Sequence, residues 1–141
     1  TATGFHLNAL GDIAFAIDGK PLDFGDTVTY RGMMFTGVPN MAWVFGYFRA
    51  SWTLRADLVG DFVCRLLKHM GEKQAHRVEV ALRPEDKDMK LLPWIDPENF
   101  NPGYLMPRRG DKREWQHTQE YWREKNEFPS IDLDDSAFVY G

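Results

Sequence analysis

The residues able to attack, ligate or move protons are few in this sequence. The four histidines, His6, His69, His76 and His117, stand far apart, and no His-Glu-x-x-His occurs. They read as packing or surface residues, and no metal ligands are expected. The one cysteine, Cys64, lies among apolar residues with Leu67 and Met70 nearby, so it reads as a buried structural thiol. A single cysteine also excludes an internal disulfide and a cysteine-based zinc site. No serine sits in a nucleophile elbow. The 12 glycines never occur as Gly-x-Gly, so neither a dinucleotide fingerprint nor a Walker loop is present. Asp23, Asp26, Asp57 and Asp61 are scattered on polar faces and read as solvated charge. No catalytic residue is expected.

One junction is more suggestive. The apolar run Met41–Tyr47 reads as a strand buried on both faces, of the kind found in parallel sheets. It leads through Phe48-Arg49-Ala50 to Ser51, a good N-cap for a helix over 52–70. A strand end meeting a helix N-terminus is where α/β folds bind ligands, and the N–H groups of Thr53 and Leu54 would favour an anion there. The residues alone equally describe a plain strand–loop–helix connection, which is the commoner case.

The elements that must hold this junction are legible in part. Ile13, Phe15 and Ile17 alternate, and Asp18-Gly19 is a hairpin turn leading to a return strand over 20–24, in which Pro21 calls for an edge. Val28 and Tyr30 alternate in a short third stretch. In the helix, Leu54, Leu58, Phe62, Leu66 and Met70 recur at helical spacing, with Asp61 placed to pair with Arg65 and Gly71 placed as the C′ residue. Val78, Val80 and Leu82 suggest a further strand. Prolines 84, 93, 97, 102 and 107 then predict an irregular arm. Asp111 and Glu114 have capping-box spacing and predict a second helix over 111–125, with Trp115, Thr118, Tyr121 and Trp122 on one face. The tail over 130–141 reads as acidic and extended. The fold class is α+β: short strands, one long helix and an irregular C-terminal arm.

The chain has 141 residues, is 43% hydrophobic and 27% charged, and has a formal net charge of −4. That suits one ordinary domain and excludes disorder, while a net acidic chain is not an electrostatic footprint for nucleic acid. All of the excess negative charge lies beyond residue 71, so the first half reads as core and the second as wrapping. No apolar run reaches the roughly 18 residues of a membrane span, and a cytoplasmic location is the simplest expectation. The opening Thr1-Ala2-Thr3-Gly4, without Met or leader pattern, reads as the start of a cut piece.

Several separate blocks resemble the flavin-containing and Baeyer–Villiger monooxygenases. Thr1-Ala2-Thr3-Gly4-Phe5 resembles the Ala-Thr-Gly motif after the late NADPH region. The blocks Asp26–Met34 and Gly37–Ala42 resemble the approach to the last strand of the FAD-domain sheet, and Gly46–Leu58 is similar to a pattern of one bacterial branch. Phe100–Leu105, Pro107–Gly110 and Trp115–Tyr121 resemble that branch's C-terminal arm.

The resemblance implies the C-terminal part of an α/β parent with two dinucleotide-binding domains. In that parent NADPH reduces FAD, and one atom of O2 is inserted into a ketone or a heteroatom. It implies residues 1–71 as the end of the FAD-binding domain and 72–141 as the C-terminal arm. It also implies Trp52, Thr53 and Leu54 as flavin neighbours, and Ala2, Thr3 and Gly4 at the FAD–NADPH junction. The Gly-rich loops of the family are missing from this chain, so neither cofactor is expected to bind it alone. The expected partner is the remainder of the flavoprotein. The fragment, with an apolar strand deprived of neighbours, is expected to self-associate. An alternative reading is a non-catalytic binding module derived from such a protein.

Overall fold

The computed structural model describes Leu10, residues 13–94 and residues 107–141. It is a mixed α+β arrangement of one long helix and several short strand pairs.

Local turn chemistry builds the first pair. Strands β1 (Phe15–Ile17) and β2 (Lys20–Leu22) are antiparallel, with Ile17 opposite Lys20. Asp18 and Gly19 both have positive φ, 51° and 77°, as a tight right-twisting hairpin requires. Both strands are edges, so the missing N–H of Pro21 is tolerated. Strands β3 (Thr29–Tyr30) and β4 (Met34–Phe35) form the second hairpin, turned by Arg31 and Gly32 at φ 46° and 65°. Thr27, Val28, Thr29 and Tyr30 are all buried, so this stretch is enclosed on both faces rather than alternating.

Helix α1 spans Trp52–Glu72 and buries Val59, Phe62, Leu66 and Met70, while Leu67 is exposed. The expected stripe is present, but its end is not where Gly71 suggested. Gly71 is helical, and Gln74 takes the left-handed conformation at φ 55°. The N–H groups of Gln74 and Ala75 close back on the carbonyls of Gly71 and Met70, a Schellman pattern with glutamine at C′. Asp61 does not pair with Arg65, whose guanidinium instead donates to the carbonyls of Phe128 and Ile131 at 2.7 and 2.9 Å. These carbonyls hold it in a partly buried position, whereas a pair with the exposed Asp61 would gain little.

Strand β5 (Val78–Val80) pairs antiparallel with β8 (Phe138–Tyr140), and β6 (Leu91–Pro93) with β7 (Arg108–Gly110). Parallel bridges from Val28 to Arg108 and from Thr36 to Val80 join these pairs to the β3–β4 hairpin. Asn40, at φ 54°, fixes β5: its backbone N–H donates to the Val78 carbonyl and its side-chain oxygen accepts from the Val78 N–H.

Four further expectations are corrected. Met41–Tyr47 forms no strand. No strand runs beside it among the described residues, and its backbone groups are spent singly: the Trp43 N–H on Met33 and the Phe45 carbonyl on Arg55. The second helix, α2, covers only Tyr121–Glu127. Asp111 caps nothing, because Trp115 is drawn wholly into the core within a short 3-10 turn, and the chain then runs extended to Glu120. Trp115 and the exposed Trp122 therefore share no face. The charged second half does not wrap a core made by the first. Tyr30 packs edge-on against both Trp115 and Phe138, and Ile131, Leu133 and Ala137 of the tail are buried in the same cluster. Cys64 is exposed rather than buried, since it falls on the outer face of α1.

Candidate functional site

The first turn of α1 holds the residues singled out from the sequence. Trp52 and Thr53 are exposed and Leu54 is half-buried. Ser51 occupies the N-cap position but makes no capping bond, because its hydroxyl is 2.7 Å from that of Thr53. The first-turn N–H groups thus receive no side-chain cap from Ser51, and the positive end of the helix dipole faces outward. Gly46 lies against the Trp52 indole so closely that a Cβ there would overlap the ring. Glycine is needed at that position for close approach, not for an unusual φ. Ala2, Thr3 and Gly4 lie outside the described residues.

Behind this turn is a buried polar cluster that the sequence reading missed. Arg55 is fully buried, and all five of its N–H groups are used. Nε and Nη2 donate to the two carboxylate oxygens of Glu124 at 2.9 and 3.0 Å. Nη1 donates to the carbonyls of Phe45 and Gly32, and Nη2 also to that of Arg31 at 2.7 Å. The Tyr47 hydroxyl donates to Glu124 at 2.5 Å. Burial, reinforced by the Glu124 carboxylate, pushes the Tyr47 phenol well above its ordinary range, so it remains a donor. A signal was available: Arg55 stands four residues before Val59 on the buried stripe, and a buried arginine demands a carboxylate.

An aromatic cluster fills the space between this pair and Trp52. Phe45 is its hub, with ring centroids 5.5 Å from Trp52 and Phe48, 5.8 Å from Trp43 and 5.9 Å from Trp94. His117 stacks on Trp94 at 4.4 Å, and its Nε2 lies 2.6 Å from the Trp94 carbonyl. A carbonyl can only accept, so Nε2 carries the proton. Burial lowers the His117 pKa to about 4, against the opposing pull of that hydrogen bond. The ring is neutral at pH 7 and serves packing.

A second buried carboxylate, Asp86, pins the arm. It accepts from Arg83 and Lys112 at 2.5 Å each and from the Trp115 indole at 2.7 Å. Burial alone would raise its pKa, but these three donors bring it down to about 2. Among the described residues no cluster of three or more His, Cys, Asp or Glu could hold a metal ion, and no helix is long and apolar enough to cross a membrane.

The chemistry of this surface is that of an anion contact. It has an uncapped helix N-terminus, an exposed indole and a rigid interior, with no phosphate-binding glycine loop in the sequence. The chain is 42% identical over 130 residues to the FAD-containing monooxygenase EthA of Mycobacterium tuberculosis, covering 88% of this chain and 26% of that protein. It is 35% identical to the probable FAD-binding monooxygenase AlmA of Acinetobacter baylyi, covering 99% and 28%. It is 33% identical to the putative FAD-containing monooxygenase MymA of Mycobacterium tuberculosis, covering 99% and 29%. The chain is thus homologous to FAD-containing monooxygenases. It spans about a quarter of the length of these relatives. No protein-family model matches the chain. No solved structure matches it.

Proposed function

We propose that this chain is the C-terminal part of an FAD- and NADPH-dependent monooxygenase that inserts one oxygen atom from O2 into a ketone or a heteroatom. The observation that carries this reading is the homology to FAD-containing monooxygenases over 86–99% of the chain. In this reading residues 1–71 end the FAD-binding domain and 72–141 form the arm. Ala2, Thr3 and Gly4 lie at the junction of the two cofactor regions, and the remainder of the flavoprotein is the partner. The protein works in the cytoplasm.

The residues present fit one edge of a flavin. When bound, the flavin supplies the electrons and the oxygen chemistry. The chain's own part is to hold and shield it. The N–H groups of Thr53 and Leu54 stabilise negative charge at the pyrimidine edge, as an uncapped helix N-terminus does. The Trp52 indole, fixed against Gly46 and Phe45, excludes water from that edge. The phosphates and NADPH are held by residues of the parent, and the isolated chain is inactive. Its exposed Leu67, which lines an apolar groove of about 300 Å³ with Met41, Leu66 and Met70, marks the surface through which it self-associates.

The test is a flavin titration of the 141-residue chain, followed by fluorescence and visible absorption. No binding alone, with binding restored when the preceding segment is supplied, is the expected result. Tight stoichiometric binding by the chain alone overturns the reading.

A further inference from the structure

We propose that Glu124 is a positioning residue that cancels the Arg55 charge beneath the α1 N-terminus, and so sets the electrostatic field at the flavin-facing turn Trp52–Leu54. This rests on the flavin placement proposed above.

The Arg55 charge is misplaced for its position in the helix. Arg55 is the fourth residue of α1, and helical side chains lean back toward the N-terminus. Its guanidinium therefore lies at the positive end of the helix dipole, where a cation is unfavourable. It is nonetheless fully buried there, held by the carbonyls of Arg31, Gly32 and Phe45. Those carbonyls fix its geometry but carry no formal charge. Of its hydrogen-bond partners only Glu124, brought across by α2, supplies a negative one. Tyr47 adds a neutral hydroxyl on the same carboxylate. The cluster is neutral as a whole, and the helix end then presents its dipole alone.

Stability does not require such a pair, because well-packed apolar residues commonly replace a buried ion pair at little or no cost. Its location does suggest a use. A charge uncovered in a water-excluded site acts over a longer range than one at the surface. Losing the Glu124 charge would leave a bare cation behind the turn and favour a reduced, anionic flavin. Losing the Arg55 charge would do the reverse.

The experiment uses the full-length flavoprotein that carries this segment, and reads the flavin midpoint potential by equilibration with a reference dye. Glu124→Gln is expected to favour the reduced flavin about fivefold or more, about 20 mV for a two-electron couple. Arg55→Met is expected to shift it in the opposite direction. The double variant Arg55→Met/Glu124→Leu, with no net change of charge, is expected to return to within about twofold of the parent. Shifts of the same sign in both single variants overturn the proposal, as do unmoved potentials with only a lower melting temperature. Where Glu124→Gln does not fold, Arg55→Met against the double variant still reads the sign. Failure of the unmodified protein to bind FAD appears before any substitution. That result overturns the flavin reading itself and this inference with it.

Discussion

Arg55 and Glu124 lie 69 positions apart in the chain and meet through two N–H···O bonds, 2.9 and 3.0 Å long, where water does not reach. The pair joins the first turn of α1 to α2, and so the most helical part of the chain to its most irregular part. Removing one partner leaves the other buried and uncompensated. Glu124→Ala is expected to cost about 3–5 kcal/mol. Tyr47→Phe leaves both charges in place and is expected to cost about 1–2 kcal/mol. Urea-unfolding midpoints check this, and equal losses in the two variants would contradict it.

Two of the groups with shifted pKa values make stability depend on pH in separate windows. His117 has its folded pKa lowered to about 4 from an ordinary 6.5, chiefly by burial. Its contribution is complete above pH 6.5 and is lost as pH falls toward 4, because the unfolded chain binds the proton first. Asp86, at about 2 against an ordinary 3.8, holds its contribution above pH 4 and loses it below. Thermal melts between pH 7 and pH 4.5 should therefore show a decline of about 2 kcal/mol, allowing for the part of the ring that water reaches. That decline should disappear in His117→Phe. A decline of the same size in the variant would show that another group is responsible.

Two glycines with positive φ separate backbone strain from steric overlap. Gly19, at φ 77°, has open space where a Cβ would go, so Gly19→Ala carries backbone strain alone, about 1–2 kcal/mol. Gly32, at φ 65°, would place a Cβ 2.5 Å from the His117 Cβ and 2.9 Å from the Arg55 guanidinium. Gly32→Ala should cost at least about 2 kcal/mol more, since neither neighbour can move without breaking its own bonds. Chemical denaturation of the two variants side by side decides it, and equal costs would mean that the turn relaxes.

Cys64 is exposed on α1 and should react with a disulfide reagent such as Ellman's reagent in the folded protein, without denaturant. Reaction only after unfolding would show that its face of the helix is covered in solution.

What the sequence disclosed was mostly local. Asp18-Gly19 determines its own turn, and the apolar stripe of α1 is a property of the helix alone. The end of α1 was misread because Gln74, not Gly71, adopts the left-handed conformation, which no rule based on glycine anticipates. Met41–Tyr47 was misread because an apolar run says only that the side chains are wanted inside. Here they feed the aromatic cluster around Phe45 rather than a sheet. The capping pattern at Asp111 lost to a distant partner, since the Trp115 indole is held by Asp86. Glu124 belongs to the same class: it reads as an ordinary surface residue until Arg55, marked only by its place on the α1 stripe, is set beside it. The relationship to flavoproteins was legible for a different reason, through short blocks spread along the chain rather than through any chemical group.

The pairing of β5 with β8 has a consequence for synthesis. Val80 is fully enclosed only when Phe138 lies opposite it, and Phe138 also touches Tyr30 and Phe62. A chain leaving the ribosome at about 5–20 residues per second must therefore present an unfinished interior for several seconds, whatever its earlier segments have achieved. Release even a few codons before residue 138 would yield a polypeptide with nearly all its helix and no closed centre, a natural substrate for chaperones and proteases. Closure of this centre thus waits on the synthesis of residues 138–140.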